Sequence, residues 1–337
     1  MSALHDRVAA LARLATSTLA ELLPPDAPYA LLDCPTYPNP GDSAIWLGQR
    51  AALRAIGAPA PAYTCDLLTY DRDALRRAVG RGPILLTGGG SFGDLWPLGQ
   101  ACREDVLRSF PENPVIQLPQ SLHFQRADTL RRAAEACRRH SRFTLLVRDA
   151  RSARIAENEL GVAARLCPDM AFCLGPLPRP VPAHEDIVWL ARTDAEAATT
   201  AHREATIDWI DEPATPLRRA VYLLIGAWRR PALRRLARRL LSVAYDPLAR
   251  QRLGRAVRTL AAGRVVITDR LHGHVLAMLL GLPHVLLDNS YGKLSSFHAA
   301  WTRGLPGVLW ADTAEQACAH TAALLAASQT ALETLTV

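Results

Sequence analysis

The order of apolar runs and amphipathic segments along the chain predicts strands that alternate with helices. Short runs rich in Val, Ile and Leu are followed in several places by segments whose apolar positions recur with helical spacing. Strands are expected at residues 29–34, 83–87, 115–118, 143–148, 186–191, 264–268 and 284–287, and helices at 42–56, 100–109, 127–140 and 274–280. This order is typical of parallel sheets with helices on both faces, so the predicted fold class is α/β with Rossmann-like domains.

A proline-rich stretch divides the two series of elements. The nine residues of LGPLPRPVP, 174–182, include four prolines. Proline lacks the N–H donor that a helix interior or a central strand needs. We therefore expect one domain over residues 1–176 and a second over 183–337.

The second predicted domain contains an Arg-rich helical segment at 216–258. Between Arg218 and Arg258 there are twelve Arg and one acid, Asp246, which gives +11, whereas the whole chain carries +7. One interpretation is a solvated helix hairpin that packs a leucine stripe on the second domain. The other is a surface that lies against anionic lipid headgroups. The stripe consists of Leu233, Leu236, Leu240 and Leu241.

Composition and charge restrict the class of protein. Apolar residues make up 49% of the chain and charged residues 21%, as in a globular protein. The seven cysteines form no C-x-x-C pair, the N-terminus lacks the apolar centre of a signal peptide, and no apolar run is long enough for a membrane span. These features predict a cytoplasmic protein. The chain contains no nucleic-acid recognition module.

Two motifs in the first half are candidates for chemistry. Asp42 stands in N-P-G-D-S, where a strand gives way to a helix, a position that also suits a helix cap. In T-G-G-G-S-F-G-D, Gly88, Gly89 and Gly90 follow a strand and would let backbone amides approach a ligand. Asp94 ends this motif near Trp96, an arrangement that suits a sugar.

The most informative motif is D-R-L-H-G, which leads from a strand into a helix. Arg270 and His272 would lie beside the free N–H groups of the helix that begins near Gly273. A guanidinium, an imidazole and a helix N-terminus together favour a phosphate or a carboxylate. We interpret this strand end as an anion site.

Lys293 is the single lysine of a chain that has 38 arginines. A lysine is a compact, mobile charge that can reach one phosphate oxygen, unlike the planar fork of arginine. Its place in D-N-S-Y-G-K, directly after a strand, makes Lys293 and Asn289 candidate ligand contacts.

Four further polar residues follow predicted strands. Arg148 and Arg192 each present a cation, for which a surface ion pair is the simpler alternative. Gln120 and His123 lie in L-P-Q-S-L-H, which is equally consistent with a polar turn.

Several of these motifs occur in the same order in one known family. The chain resembles the polysaccharide pyruvyl transferases, and D-R-L-H-G followed by the Y-G-K loop is the most specific part of the resemblance. The matching motifs are N-P-G-D-S at 39–43, T-G-G-G-S-F-G-D-L-W-P at 87–97, L-P-Q-S at 118–121, V-R-D at 147–149, C-P-D-M-A-F at 167–172, D-R-L-H-G at 269–273 and D-N-S-Y-G-K at 288–293.

The resemblance implies two Rossmann-like domains that face a cleft, as in GT-B glycosyltransferases. It also implies an enzyme that moves the pyruvyl unit of phosphoenolpyruvate onto a sugar and closes a cyclic ketal, usually in bacterial exopolysaccharide or cell-surface polymer synthesis. The acceptor would be a polysaccharide or a lipid-linked oligosaccharide, and the protein would act in the cytoplasm or at the inner membrane face. No step of this reaction demands a metal or a redox cofactor.

The resemblance also implies roles for residues. Arg270, Leu271 and His272 would contact the donor, together with an upstream arginine that is either Arg148 or Arg192. His272 is the candidate general acid because imidazole exchanges protons near neutral pH. Asp42 or Asp94 would orient or deprotonate the acceptor. The remaining substrate contacts would come from Lys293, Gly88, Gly89, Gly90, Asn289, Gln120 and His123.

The alternative is a GT-B glycosyltransferase with a nucleotide-sugar donor, in which Arg270 and Lys293 would hold the diphosphate. It requires a pocket for base and ribose, and the second half offers no obvious carboxylate for a ribose. A third possibility is a basic scaffold without catalytic activity, but the glycine-rich and histidine-bearing strand ends would then have no explanation.

Overall fold

A computed structural model of the chain describes residues 3–24, 26–193, 206–288 and 292–335, with side chains as far as residue 327. Helices and strands alternate through most of it, as the sequence predicts. The α-helices within these ranges are α1 (Ala3–Leu22), α2 (Pro40–Ala55), α3 (Arg72–Val79), α4 (Pro97–Ser109), α5 (Ala127–Arg139), α6 (Ala150–Ile155), α7 (Pro216–Trp228), α8 (Arg234–Ala261), α9 (Leu271–Leu280), α10 (Lys293–Trp301) and α11 (Ala314–Leu335).

The strands form two sheets in which every paired strand is parallel. The first sheet has seven strands in the order β2-β1-β3-β5-β6-β7, with β4 paired to β5, and the second has four in the order β11-β10-β9-β8. The α/β class with parallel sheets is thus confirmed. The strands are β1 (Ala30–Leu32), β2 (Tyr63–Cys65), β3 (Ile84–Leu86), β4 (Gly89–Gly93), β5 (Val115–His123), β6 (Phe143–Val147), β7 (Ala164–Leu166), β8 (Glu185–Leu190), β9 (Gly263–Thr268), β10 (His284–Leu286) and β11 (Val308–Trp310).

The chain divides into two compact units. The seven-stranded unit comprises residues 12–173 and 212–252, and the four-stranded unit comprises 1–11, 174–211 and 253–337. The chain crosses between them at 173–174, at the start of the proline-rich stretch. The units differ from the domains expected from sequence in two places. Residues 1–11 group with the later unit, and residues 212–252 group with the earlier one.

Local sequence explains where the helices begin. The side-chain oxygen of Asn39 accepts a hydrogen bond from the amide of Gly41 at 3.0 Å, and Pro40 supplies the fixed φ angle that suits a first helical position. Asp71 caps α3 in the same way by accepting from the amide of Ala74 at 2.9 Å. These caps fix the entry of α2 and α3 beside the carboxyl edge of the seven-stranded sheet.

Each sheet contains a strand that is flanked on both sides by segments that come later in the chain. In the first sheet, β1 lies between β2 and β3. In the second, β8 pairs with β9 on one side, and Leu190 forms a parallel bridge with Ile207 on the other. Ligands of open α/β sheets bind outside the carboxyl ends of such strands. We therefore expect ligand contacts from the residues that follow β1, β3, β8 and β9.

The predicted loop after β3 is instead partly a strand. Residues Gly89–Gly93 form β4, which pairs with a β5 that runs on to His123 rather than ending at Leu118. The alternative interpretation of 118–123 as a polar turn is wrong because these residues continue β5, and Gln120 and Ser121 are buried and hydrogen-bonded.

The Arg-rich segment forms two consecutive helices, α7 and α8, which we call the α7–α8 hairpin. Most of it groups with the earlier unit rather than the second domain, and its leucine stripe is not buried as a whole. Leu241 is buried, whereas Leu233, Leu236 and Leu240 are exposed. The residues that pack inward on α8 are Ala237, Leu241, Tyr245 and Leu248, which recur with the same helical spacing on another face.

No helix of the described ranges is long and apolar enough to cross a membrane. The seven cysteines are free of disulfides.

Candidate functional site

Two predicted cations stand side by side at the carboxyl edge of the four-stranded sheet. Strands β8 and β9 pair with Leu190 opposite Thr268. Arg192 and Arg270 each follow these positions by two residues. Since the strands are parallel and in register, both arginines lie at the same edge of the sheet.

Arg270 is buried and already has a carboxylate partner. Its guanidinium Nη2 lies 2.5 Å from Oδ2 of Asp208, and both side chains are almost fully buried. Asp208 also accepts hydrogen bonds from the amide and the hydroxyl of Thr193, at 3.0 and 2.7 Å. Asp208 follows the Ile207 bridge to β8, so a third chain segment reaches this edge.

The turn from β9 into α9 explains the glycine of D-R-L-H-G. The hydroxyl of Thr268 accepts a hydrogen bond from the amide of Arg270 at 3.0 Å. A Cβ atom on Gly273 would lie 2.4 Å from the same hydroxyl oxygen, so a side chain there would push helix and strand apart. The close approach holds His272 and Leu271, both buried, in the first turn of the helix.

Asp269 is tied to the neighbouring strand end. Its Oδ1 accepts a hydrogen bond from the amide of Arg192 at 2.9 Å. Burial raises the pKa of Asp269 to about 6, although this hydrogen bond and the charges of Arg270 and Arg192 act in the opposite direction. The carboxyl group therefore holds the two arginine-bearing segments at a fixed spacing.

Lys293 lies at the same end of this sheet, beyond β10. It is the first residue of α10, it is buried, and it follows Gly292, whose φ of 75° belongs to the left-handed region. A carboxylate oxygen of Asp288 accepts a hydrogen bond from the amide of Ser295 at 3.3 Å, which ties the end of β10 to this helix. Asn289, the other candidate in this motif, lies outside the described residues.

A second group of polar residues surrounds the β1 and β3 ends of the seven-stranded sheet. Asp42 lies in the first turn of α2 and accepts a hydrogen bond from Nδ2 of Asn39 at 2.7 Å. A Cβ atom on Gly89, whose φ is 135°, would lie 3.4 Å from Oδ1 of Asp42. Asp42 thus faces the start of β4, and it keeps partial exposure to solvent.

Asp33 is a candidate that the sequence analysis missed. It follows β1, and its φ of 67° places a residue other than glycine in the left-handed region. Its Oδ1 is buried and makes no hydrogen bond. Burial raises the pKa of Asp33 to about 7, the charge of Arg103 opposes this, and the charge of Asp42 adds to it. Strained backbone and a shifted pKa together often mark a functional residue.

Only the position of Asp33 near the end of a predicted strand was visible in the sequence. Neither its backbone conformation nor the depth of its carboxyl group follows from residue order. The same is true of Asp208, whose partner Arg270 is distant in the chain.

The glycines and polar residues around β4 are explained largely by packing. A Cβ atom on Gly88 would lie 2.7 Å from the carbonyl oxygen of Pro119, and one on Gly93 would lie 1.6 Å from that of His123. Gln120 accepts a hydrogen bond from the amide of Ser91 and donates to the carbonyl of Thr87. These residues join β4 to β5. Gly90 lies within β4.

The carboxylate of Asp94 already has hydrogen-bond partners on the backbone. Its carboxylate accepts hydrogen bonds from the amides of Gln125 and Arg126, the nearest at 2.7 Å, just before α5. Helix N-terminal amides are satisfied by such carboxylates. Asp94 is therefore engaged locally, whereas Asp42 lies beside the strand-end glycine.

The guanidinium of Arg148 also has its ion-pair and hydrogen-bond partners within its own unit. Its Nη1 lies 2.5 Å from Oδ2 of Asp169 and its Nε lies 2.9 Å from the hydroxyl of Ser121, and both charged side chains are buried. Arg192 rather than Arg148 therefore shares a sheet edge with Arg270.

The motifs and the site match a known family. The model of the polysaccharide pyruvyl transferase family matches residues 39–291, and the chain belongs to this family, as the sequence analysis predicts. The chain is accordingly an enzyme of the polysaccharide pyruvyl transferase class.

Named relatives cover most of the chain. It is 31% identical over 287 residues to Pyruvyl transferase 1 of Schizosaccharomyces pombe, an alignment that spans 82% of this chain and 70% of that protein. It is also 31% identical over 298 residues to EpsO of Bacillus subtilis, named as a pyruvyl transferase, which spans 86% of this chain and 90% of that protein.

A solved structure shares the fold. It is the crystal structure of an uncharacterized protein from Klebsiella pneumoniae, with a TM-score of 0.57 and 17% identity over 88% of this chain and 97% of that one.

Proposed function

We propose that the chain transfers the pyruvyl group of phosphoenolpyruvate to a sugar of a polysaccharide or a lipid-linked oligosaccharide, in exopolysaccharide or cell-surface polymer synthesis. The observation that carries the proposal is the pair of arginines, Arg192 and Arg270, on adjacent strand ends, with Lys293 beyond the next strand. Phosphoenolpyruvate has a carboxylate and a phosphate on a small frame, and such a donor needs several fixed cations. One parallel sheet in each unit is in keeping with a GT-B-like pair of Rossmann-like domains.

The donor is assigned to the carboxyl edge of the four-stranded sheet. Arg270 and Arg192 would bind the two acidic groups, and Lys293 would neutralise the departing phosphate. Asp208 would act as a positioning residue, because its carboxylate fixes one side of the Arg270 guanidinium. Leu271 would limit the space around the methylene carbon.

The reaction can be written with every proton assigned. His272 donates a proton to the methylene carbon, which becomes a methyl group and leaves C2 electrophilic. One sugar hydroxyl attacks C2 and the C2–O bond to phosphate breaks, after which a second hydroxyl of the same sugar closes the ketal. The two hydroxyl protons balance the proton taken up by carbon and the one carried away by phosphate. No metal or redox step occurs in this sequence.

The acceptor is assigned to the seven-stranded unit. Asp42 would accept a hydroxyl proton, and Asp33, whose pKa is raised to about 7, would exchange the second one near neutral pH. Their common place at the β1 and β3 ends supports this assignment. Asp94 is the weaker candidate because two backbone amides occupy its carboxylate.

Donor binding provides the first test. We expect phosphoenolpyruvate to raise the melting temperature of the purified protein and nucleotide sugars to leave it unchanged. The exposed Arg77→Gln variant should behave like the parent, whereas Arg192→Gln should lose the shift. Stabilisation by a nucleotide sugar alone would favour the glycosyltransferase alternative.

The chemistry provides the second test. With phosphoenolpyruvate and a set of oligosaccharides in D2O, the product should show a ketal methyl group with one deuterium and an equal amount of inorganic phosphate. A product methyl group without solvent deuterium would rule out protonation at the methylene carbon.

A further inference from the structure

An apolar stripe on α8 faces solvent. Leu236, Leu240 and Val243 are spaced by four and three residues, so they share one face of the helix. Their exposed fractions are 58%, 45% and 73%. We call these three residues the outer stripe. They lie away from the inward-packed face of α8 that contains Leu241 and Tyr245.

Helix α7 also exposes large apolar side chains. Leu223 is 74% exposed and Tyr222 is 42% exposed, although Val221 and Ile225 of the same helix are buried. Contiguous exposed apolar residues, such as the outer stripe on one face of α8, mark an interaction surface, whereas scattered ones do not.

The outer stripe is embedded in positive charge. From Pro216 to Tyr245 the sequence contains eight Arg and no Asp, Glu or Lys. Arg218 pairs with Glu212, and Arg234 lies 3.9 Å from Asp71. The arginines that are exposed and have no carboxylate within the described residues include Arg219, Arg229, Arg230, Arg235 and Arg239.

The hairpin is held firmly, so the exposure of the stripe does not come from loose packing. Nε1 of Trp46 donates to Asp246 at 2.8 Å, and the hydroxyl of Tyr245 donates to Asp66 at 3.0 Å. Arg252 is buried and pairs with Glu212 at 2.7 Å. Asp246, the sole acid between Arg218 and Arg258, is thus used in this anchor, and it lies 3.9 Å from Arg250 and away from the arginines around the outer stripe.

We propose that the α7–α8 hairpin docks on an anionic lipid surface, with the outer stripe and Leu223 in the headgroup region and the neighbouring arginines on lipid phosphates. An amphipathic basic helix with exposed leucines has this chemistry. A second copy of the chain would bring like charges together, which disfavours self-association. Nucleic acid would engage the arginines but leave the leucines without a partner.

The proposal concerns a surface separate from the residues assigned to catalysis, so it can be tested independently of the transfer reaction. The full-length protein is sedimented with vesicles of phosphatidylcholine alone and of phosphatidylcholine mixed with phosphatidylglycerol. We expect binding to the mixed vesicles only, with a decrease as salt is raised.

Two variants separate charge from apolar contact. Replacing Arg229, Arg230 and Arg239 with Gln should lower the partition coefficient by roughly a hundredfold, since each arginine near an anionic surface contributes about tenfold or less. Leu236→Ser combined with Leu240→Ser should lower it by roughly tenfold or more. The control for the arginine variant replaces Arg77, Arg131 and Arg139 with Gln. The control for the leucine variant combines Leu98→Ser with Leu166→Ser. All five residues are exposed and lie elsewhere in the same unit.

The outcomes are separable. All variants should keep the melting temperature and the phosphoenolpyruvate shift of the parent, because none alters a buried residue or a strand-end cation. Equal binding to both vesicle types, or equal losses in the control variants, would overturn the proposal. The stripe would instead be a self-association surface if the parent is a dimer that does not bind vesicles and the Leu236→Ser, Leu240→Ser variant is a monomer.

Discussion

Arg270 illustrates how much of the site depends on single side chains. Its guanidinium is buried and shared with Asp208, so its remaining donors point in fixed directions. A lysine would keep the positive charge but would lose the fork geometry that the guanidinium presents.

We therefore expect Arg270→Lys to lose most activity and most of the thermal shift with phosphoenolpyruvate. The measurement is kcat/KM for the donor, with binding followed separately by the melting temperature. Near-parental turnover in this variant would remove Arg270 from the donor site. Arg77→Lys, at an exposed position, serves as the control.

Asp33 should show opposite effects on stability and activity. Its pKa is about 7 in the folded chain, above the ordinary value of about 3.9 in an unfolded chain. Because the folded chain holds this proton more tightly than the unfolded chain, stability falls as the pH rises from about 3.9 to about 7. The full cost of ionising Asp33 is therefore present above pH 7 and absent below about pH 4. Asn also tolerates the φ of 67° well.

The Asp33→Asn variant is thus expected to unfold with a free energy on the order of 2 kcal/mol above that of the parent at pH 9. The two proteins should be about equally stable near pH 4. The variant should lose turnover. Urea unfolding at several pH values gives the comparison, with the exposed Asp26→Asn as control. A stability difference that does not change with pH would show that Asp33 titrates normally.

Lys293 allows shape and charge to be tested apart. Lys293→Arg keeps the charge but adds volume at a buried helix start, so the donor KM should rise while the acceptor KM stays the same. Lys293→Met keeps the stem without the charge and should raise the donor KM further. If both variants have the donor KM of the parent, the single lysine has no role in the site.

Residue order was enough to name Arg270, His272 and Asp42 as candidates, because each lies in a short motif at a strand end. It was not enough to choose between Arg148 and Arg192. That choice depends on strand order, since Arg148 and Arg270 lie in different units and Arg192 stands on the strand next to β9.

At the scale of elements, a chain of hydrogen bonds joins α9, β10 and α10. Nδ1 of His284 donates to the carbonyl of Leu282 at 2.8 Å, so its Nε2 accepts from Nδ1 of His274 at 2.6 Å. Nε2 of His274 then accepts from the hydroxyl of Thr302 at 2.9 Å, and that hydroxyl accepts from Nδ1 of His298 at 2.8 Å. Each tautomer follows from the carbonyl at the end of the chain.

This arrangement requires neutral imidazoles. Burial lowers the pKa of His274, and it lowers the pKa of His284 to about 4. The unfolded chain binds these protons near pH 6.5 and the folded chain does not, so stability due to these groups is present above pH 6.5 and is lost as the pH falls toward 4.

His284→Asn should therefore destabilise the protein at pH 7.5, and the difference from the parent should shrink by about 1–2 kcal/mol at pH 5, where the parent carries the cost of the neutral imidazole. Urea unfolding of both proteins at the two pH values gives the measurement. The exposed His184→Asn serves as control and should show no such change. A difference that stays constant would mean that His284 titrates normally when folded.

The apolar pattern predicted seven of the eleven strands of the described ranges, because buried runs such as those of β3 and β9 give strong signals. It predicted α2, α4, α5 and α9 to within a few residues, but not α3, α6, α10 or α11. It missed β4 and the three-residue strands β2, β7 and β11, which depend on neighbours for their pairing. It grouped the leucines of α8 on one face and left two interpretations of that face open, because spacing shows which residues share a face but not which face packs inward.

At the scale of the molecule, the two units are built from interrupted pieces of chain. Trp46 is buried and its indole N–H is bound to Asp246, which comes from the later piece of the same unit. The pattern of residues gave a boundary near 174 but could not show that residues 212–252 return to the earlier unit.

A fragment of residues 1–176 should consequently fold poorly, whereas a fragment of residues 12–252 should retain cooperative unfolding. The first should bind a hydrophobic dye and show red-shifted emission from an exposed Trp46. Thermal melts and limited proteolysis of both fragments provide the comparison. Cooperative melting of the 1–176 fragment at the temperature of the longer one would contradict this expectation.

The interleaved pieces also bear on how the protein is made. During synthesis, residues 12–173 leave the ribosome before the α7–α8 hairpin that completes their unit. This first piece, once made, waits for about 80 further residues, or roughly 4–16 s at ordinary translation rates. The first eleven residues wait longer, because Val8 and Leu11 are buried in a unit that ends with the last residues of the chain. The nascent chain thus exposes apolar surface for most of its synthesis, which makes it prone to aggregation until the later segments arrive.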